Sequence, residues 1–273
     1  MDPTERAGLE TFAKEIRKLA IGMIGEYGVG HIGGAMSIAD VLAVLYGKRL
    51  KADARNPRSP GRDRLVLSKG HAGPALYAAL AAKGFFPMEW LTTLNQGGTM
   101  LPSHCDRNRT PGIDMTTGSL GQGLSAACGI ATALRLDGNP ATVFAIIGDG
   151  ESDEGQNWEA AMFAAHRKLS NIVAFTDFNN AQIDGTTEEI LGLGSLSSKW
   201  AAFGWNAVDV DGHDVGAIDA AIEKAKASKD KPSMIVMHTV KGKGCSFCEG
   251  QVGSHNMPVT REMAAEAIAK LGA

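Results

Sequence analysis

Ala141-Thr-Val-Phe-Ala-Ile-Ile-Gly148-Asp149-Gly150 is an unbroken apolar run, rich in β-branched residues, that stops on an aspartate between two glycines. A second run of the same kind, Asn171-Ile-Val-Ala-Phe-Thr176, stops on Asp177-Phe-Asn179-Asn180, and a helical pattern over Glu154–Lys168 separates the two. Strands that lack polar alternation are buried on both faces, so a strand–helix–strand unit of this composition predicts a parallel sheet covered by helices.

The same alternation continues on either side. Upstream, Arg64–Leu67 reads as a short strand before Ser68-Lys-Gly-His71 and a helix over Pro74–Ala82, and a further helix runs from Gly121 to about Leu136. Downstream come a strand at Ala207–Val210, a helix at Val215–Ala227 and a strand at Ser233–Met237. Helical patterns over Glu10–Glu26 and Ile38–Tyr46 open the chain, and Asn95–Thr117 has no period at all. An irregular stretch of that length inside a compact domain is more often functional than not. The predicted fold class is α/β, a doubly wound and mostly parallel sheet with helices on both faces, forming one domain over residues 1–273. Ligands of such sheets bind beyond the carboxyl ends of the strands. That rule points to Gly148–Gly150, Asp177–Asn180 and the loop after His238.

Composition bounds the function. The 27 Lys and Arg against 30 Asp and Glu leave a net charge of −3, with no basic run longer than the scattered lysines of Lys224–Lys231. There is no electrostatic footprint for nucleic acid and no polybasic membrane anchor. No apolar stretch approaches the length of a membrane span and the first ten residues are polar, so a cytoplasmic location is the expectation. Four cysteines, Cys105, Cys128, Cys245 and Cys248, are too few and too irregular for a disulfide framework. Cys245 and Cys248 have the spacing of half a zinc site, but a matching second pair is missing. Glycine, at 34 residues, clusters around positions 28–34, 112–123, 148–155 and 242–253, as expected where several loops approach one ligand, although each cluster alone would be ordinary turn punctuation.

In a βαβ unit the ends of the two strands lie together, so Asp149 and Asn179 can supply two oxygen ligands to one hard cation and leave positions for a backbone carbonyl, water and ligand phosphates. That is the chemistry of a Mg²⁺–diphosphate site. Spacing alone leaves open a helix-capping aspartate and an asparagine turn.

The residues Gly148-Asp-Gly150 followed by Asn179 resemble the thiamine-diphosphate signature, in which magnesium clamps the cofactor diphosphate. Val29-Gly-His-Ile-Gly-Gly34, Ser68-Lys-Gly-His71, Thr116-Thr-Gly-Ser-Leu-Gly-Gln-Gly123, Gly148-Asp-Gly-Glu-Ser-Asp-Glu-Gly155, Asn180-Ala-Gln-Ile-Asp-Gly185 and Asp211-Gly-His-Asp214 together resemble, in order, the amino-terminal domain of transketolases. The likeness runs from about Ala13 to Pro258. It implies that Asp149, Asn179 and the carbonyl of Ala181 hold Mg²⁺, with Ca²⁺ or Mn²⁺ as substitutes. It implies that His71, Gly150 and His255 contact the diphosphate end of thiamine diphosphate, and that Gly118, Leu120 and Ile183 line the thiazolium. Glu154 and Glu159 match acidic residues of a carboxylate network joining two cofactor sites, and both also suit the first turns of a helix.

His31, His104 and His255 match the family's proton-transfer and substrate-orienting positions. Imidazole suits that work, because ketol transfer removes and returns protons near neutral pH. His166 and His238 match nothing and read as structural; His213 reads as a turn residue. Two departures stand out: Ile32 stands where many full-length transketolases have proline, and Cys245–Gly253, leading to His255, is looser than the family text. The family's pyrimidine-binding and carboxyl-terminal domains have no counterpart in these 273 residues. The resemblance therefore implies the amino-terminal subunit of a split transketolase. Its partner would be a carboxyl-terminal subunit, in a dimer of heterodimers acting on sugars or sugar phosphates. A 2-oxo acid dehydrogenase or 1-deoxyxylulose-5-phosphate synthase-like subunit, and a non-catalytic binding relative, are the alternatives.

Overall fold

The computed structural model describes residues Met1–Gly272. In chain order its elements begin with α1 (Pro3–Tyr27), β1 (Val29–Gly30), α2 (Gly33–Met36), α3 (Ala39–Val44), β2 (Arg64–Leu67), α4 (Gly73–Ala82) and α5 (Gln122–Leu136). They continue with β3 (Val143–Gly148), α6 (Gly155–His166), β4 (Ile172–Phe178), α7 (Thr187–Leu191), α8 (Leu196–Ala202) and β5 (Asn206–Asp211). The last are α9 (Val215–Lys226), β6 (Ser233–His238), β7 (Met257–Pro258) and α10 (Arg261–Gly272).

Five strands form one parallel sheet in the order β2-β3-β4-β6-β5. All six residues of β3 are buried, and successive side chains alternate between two cores. Phe144, Ile146, Val173 and Phe175 pack with α1, α3, α4 and α9, while Val143, Ala145, Ile147, Ile172 and Ala174 pack with α5, α6 and α8. A period-two strand whose two faces both meet helices must be apolar throughout, and that is the pattern of these two runs.

Register then sets the site. Gly148 pairs with Asp177, and Asp177 with Met237, so the ends of β3, β4 and β6 lie level. Residues Ser68–His71, Asp149–Glu151, Asn179–Gln182 and Thr239–Lys241 leave the sheet at that one edge. The other side of the site is brought in by a two-stranded ribbon remote in sequence: β1 pairs antiparallel with β7, Val29 with Pro258 and Gly30 with Met257. His31 directly follows β1 and His255 shortly precedes β7, so this short ribbon delivers both.

Several boundaries differ from those expected. The first helix starts at Pro3, because Asp2 caps it by accepting from the Glu5 N–H (2.9 Å), and it ends where Gly28, at φ 97°, turns its N–H back to the Ile24 carbonyl. The helix expected over Ile38–Tyr46 is α3 followed by a π-helical turn over Leu45–Arg49. The helix expected from Glu154 begins one residue later, after a separate 3₁₀ turn over Gly150–Asp153, so Glu154 is its N-cap position and makes no side-chain capping bond. Asn95–Thr117 has no helix or strand, as its sequence indicates. Among the described residues no helix is long and apolar enough to cross a membrane.

Candidate active site

Asp149 leaves β3 almost fully buried, 3% exposed, with both carboxylate oxygens directed at backbone: Oδ1 accepts from Gly150 N–H (2.8 Å) and Oδ2 from Asn180 N–H (2.7 Å). Asn180 sits at φ 60°. It is held there by Thr187, which donates to its side-chain oxygen (2.5 Å). The turn carrying Asn179, Ala181, Gln182 and Ile183 is thereby folded over Asp149. Burial, and then the nearby Asp177 carboxylate, push Asp149 up to about 7. A buried carboxylate repelled by another anion is what a divalent cation would relieve. Asn179 and Ala181 line the same cavity, so the donors these residues can offer are hard oxygens, an amide and a backbone carbonyl, that fit Mg²⁺ or Ca²⁺. Among the described residues no three His, Cys, Asp or Glu side chains gather as a metal cage, so any cation here depends on amide, carbonyl and ligand oxygens.

That cavity has a volume of about 310 Å³. His71, Leu120, Asp149, Gly150, Glu154, Asn179, Ala181, Ile183 and His255 all line it. Two glycines keep it open. A Cβ on Gly34 would lie 3.1 Å from Lys69 Nζ and 3.4 Å from His71 Nε2, and one on Gly150 would lie 2.9 Å from Gln182 Cγ. Gly118 is not among the lining residues but packs on His104: its φ is 134°, and a Cβ there would lie 2.7 Å from His104 Cδ2. Glu159 stands apart, exposed on α6.

Two lysines in this cavity were not singled out by sequence reasoning. Lys69, 1% exposed, donates to Asp177 (2.5 Å), which also accepts from Ser37 (2.7 Å), Thr239 (2.6 Å) and Asn179 (2.8 Å). Burial pushes Asp177 up, but the Lys69 charge and these donors outweigh it and hold the carboxyl below its ordinary range. Lys241 donates to the Gln182 carbonyl (2.9 Å), and burial lowers it to about 8. Both ammonium groups line this glycine-cleared cavity together with Asp149, Glu151, Asp153, Glu154 and Asp184; Lys69 is paired with Asp177 while Lys241 bonds a neutral carbonyl, an arrangement able to take an anionic ligand together with a cation. The signal for Lys69 was its place inside Ser68-Lys-Gly-His71; that for Lys241 was its position just past the carboxyl end of β6. Glu151, also buried, braces the floor: it accepts from Ser68 Oγ, Gly121 N–H (2.9 Å) and Gly148 N–H (3.0 Å), tying the start of α5 to the end of β3.

Four imidazoles converge at the mouth. The His31 ring centroid lies 5.5 Å from His71, 5.4 Å from His104 and 5.3 Å from His255, and His71 lies 4.8 Å from His255. Burial, reinforced by His104, lowers His31 to about 4; burial, reinforced by Lys241, does the same to His255. Burial also lowers His71 and His104. At neutral pH the cluster is therefore uncharged, able both to accept a proton and to donate an N–H.

His213 does more than shape a turn. Its backbone N–H does bond Asp211 (2.8 Å), but its ring links the core to the lysine loop. Val240 N–H donates to Nε2 (2.9 Å), which leaves Nδ1–H to donate to Asp40 (2.7 Å), and Asp40 in turn pairs with the buried Arg17 (2.5 Å). His238 bonds Asp209 (2.8 Å) on the sheet edge, and His166 closes α6; neither enters the site. Cys245 and Cys248 are fully buried in a turn behind Lys241, where the Cys248 N–H bonds the Cys245 carbonyl (3.0 Å).

Comparison with known proteins follows the same lines. Residues 9–273 match a family model described as "Transketolase, thiamine diphosphate binding domain". Among curated proteins, the 6-deoxy-6-sulfo-D-fructose transketolase subunit SqwG of Clostridium sp. (strain MSTE9) is 59% identical over 267 residues, covering 98% of this chain and 97% of that protein. An apulose-4-phosphate transketolase subunit of Phocaeicola vulgatus is 38% identical over 260 residues, covering 95% and 92%. Among solved structures, the transketolase from Leishmania mexicana superposes with a TM-score of 0.91 at 34% identity, over 97% of this chain but 41% of that one. The chain thus spans about two fifths of the length of the full transketolase it matches.

Proposed function

Because the chain belongs to the transketolase family, matching its thiamine-diphosphate-binding domain, we propose that it is the diphosphate-binding subunit of a two-chain transketolase whose ketose donor is 6-deoxy-6-sulfo-D-fructose. The donor rests on the 59% identity, over nearly the whole of both chains, to a subunit named for that sugar. The subunit reading rests on relatives of matching length that are themselves named as subunits, which implies a partner chain. In this reading the whole chain is one domain, and the pyrimidine-binding and carboxyl-terminal domains belong to the partner.

Thiamine diphosphate, when bound, supplies the carbanion chemistry that breaks and remakes the carbon–carbon bond. The chain's own residues do the rest. Asp149, Asn179 and the Ala181 carbonyl would hold Mg²⁺ at the diphosphate, with the cation and Lys241 meeting its charge, neutral His71 offering it an N–H, Lys69 fixing Asp177 beside it and Gly150 giving it room. Gly118, Leu120 and Ile183 border the thiazolium. His31 and His255 move protons at the reacting oxygens, and His104 orients the hydroxyl of the two-carbon fragment. The observation that carries this assignment is the meeting, in one cavity, of a buried carboxylate, two lysines and the neutral imidazoles of His71 and His255, with His31 and His104 in the same ring cluster beside it.

Exposed apolar residues suit a partner lying over the site. Ile183 is 62% exposed, with Ile190 and Leu191 beside it, and α6 presents Met162 and Phe163 on the surface that also carries Glu159. A dimer of heterodimers would bury both surfaces and bring the carboxylates of Glu154 and Glu159 near their counterparts. The test is ketol transfer by the co-purified two-chain complex over a donor panel of 6-deoxy-6-sulfo-D-fructose, apulose 4-phosphate, xylulose 5-phosphate and a 2-oxo acid. Highest kcat/KM with the sulfonated sugar is expected. Preference for a sugar phosphate would overturn the donor, and decarboxylation of the 2-oxo acid alone would overturn the reaction class.

A further inference from the structure

A cavity of about 580 Å³, larger than the one at the active site, opens beside Arg64, the first residue of β2 and thus at the opposite end of the sheet. Its wall carries Arg58, Arg62, Arg64, Arg107 and Arg109, five of the twelve arginines of a chain whose net charge is negative. Gathering guanidinium groups in this way is unfavourable unless something anionic answers them. The carboxylate in the wall, Asp114, does not suffice: both its oxygens are engaged by Arg62, and one also accepts from Leu65 N–H (2.8 Å).

Arg64 is held by neutral groups, the carbonyls of Arg62, Asp63 (3.3 Å) and Pro60 (3.2 Å), which fix its plane without cancelling its charge. Burial, and then the Arg62 charge, make Arg64 hold its proton less firmly than usual. Arg109 donates to the Thr99 carbonyl (3.2 Å) and approaches Asp106 only at 3.7 Å. The side chains of Arg58 and Arg107, one on each of two loops, are exposed and make no hydrogen bond or ion pair among the described residues.

We propose that this cavity binds a small molecule carrying two or more phosphate or sulfonate groups, with Arg64 as its fixed floor, Arg62 held behind it by Asp114, and Arg58 and Arg107 closing on the ligand from the two loops. The volume is that of ordinary ligand sites, and planar guanidinium forks match tetrahedral oxyanions two oxygens at a time. The site is separate from the diphosphate cradle, and the proposal stands whichever ketose the enzyme uses.

Calorimetric titration of inorganic triphosphate into the full chain in metal-free buffer tests it. Saturable binding is expected, weakened at least tenfold by Arg58→Ser/Arg107→Ser and unchanged by Lys241→Met or by Arg135→Ser, an exposed arginine elsewhere on the surface. Since the side chains of Arg58 and Arg107 make no bonds among the described residues, their replacement should leave the melting temperature where it is. Binding that survives the double substitution but disappears in Lys241→Met would place the anion in the diphosphate cradle and overturn the proposal. An equal loss in Arg135→Ser would reduce it to general charge attraction and overturn it as well.

Discussion

Replacing Lys69 by methionine removes the charge that balances Asp177 while keeping most of the apolar stem. The two side chains are 2% and 0% exposed and 2.5 Å apart, so the pair is shielded from bulk water in the folded chain. Breaking a buried ion pair from one side costs about 3–5 kcal/mol, because the surviving charge is left without a counterion. Ser37, Thr239 and Asn179 still donate to Asp177, which puts the expected loss near the lower end, about 3 kcal/mol. Urea unfolding of the chain without cofactor or cation reads it: with a slope of about 3 kcal/mol per molar, the midpoint should fall by about 1 M. Adding Asp177→Asn to the methionine variant removes the orphaned charge and should restore at least about 1 kcal/mol. A loss below about 1 kcal/mol for Lys69→Met, or strict additivity of the two substitutions, would show that the pair is not the buried electrostatic joint described above.

The histidines give further tests. His31→Ala should leave cofactor affinity intact and lower kcat by about 10²- to 10⁴-fold, the range of general acid–base groups; full activity would remove His31 from the mechanism. His31 and His255 are held near 4, below the unfolded value of 6.5, so between those values the folded chain carries fewer protons than the unfolded one. Their contribution is complete above about pH 6.5 and is lost as pH falls towards 4, by about 1–2 kcal/mol each once partial solvent exposure is allowed for. Urea midpoints at pH 5 and 7.5 should therefore differ less for His31→Asn/His255→Asn than for the parent chain, and an unchanged difference would contradict the shifts. At His213 the two ring nitrogens can be separated. His213→Asn keeps a donor towards Asp40 and should weaken thiamine diphosphate binding by freeing the Val240 loop, whereas His213→Gln keeps the acceptor for Val240 and should cost stability instead; identical effects of the two would refute that division.

The sheet was legible because both faces of Val143–Gly148 and Ile172–Phe175 are apolar, as a doubly covered parallel strand requires. Asp149, directly after the first run, and Asn179, two residues past the Asp177 on which the second stops, stood out by that position. The ribbon that joins His31 to His255 was not, since two strands of two residues each have no period to read and their pairing spans almost the whole chain. Nor was Lys241, whose role comes from burial beside Asp149 and a bond to Gln182 that only the folded loops create. His213 gave a turn signal, which its backbone satisfies; the link from its ring to Asp40 and Val240 depends on α3 and the β6 loop meeting at that point.

The central claim is that Asp149 anchors a cation-clamped diphosphate. It is tested most directly by titrating thiamine diphosphate into the two-chain complex with and without Mg²⁺, for the parent chain and for Asp149→Asn. Tight binding that requires Mg²⁺ in the parent and is lost in the variant is the predicted result. Equal affinity in the two, or binding indifferent to the cation, would contradict it.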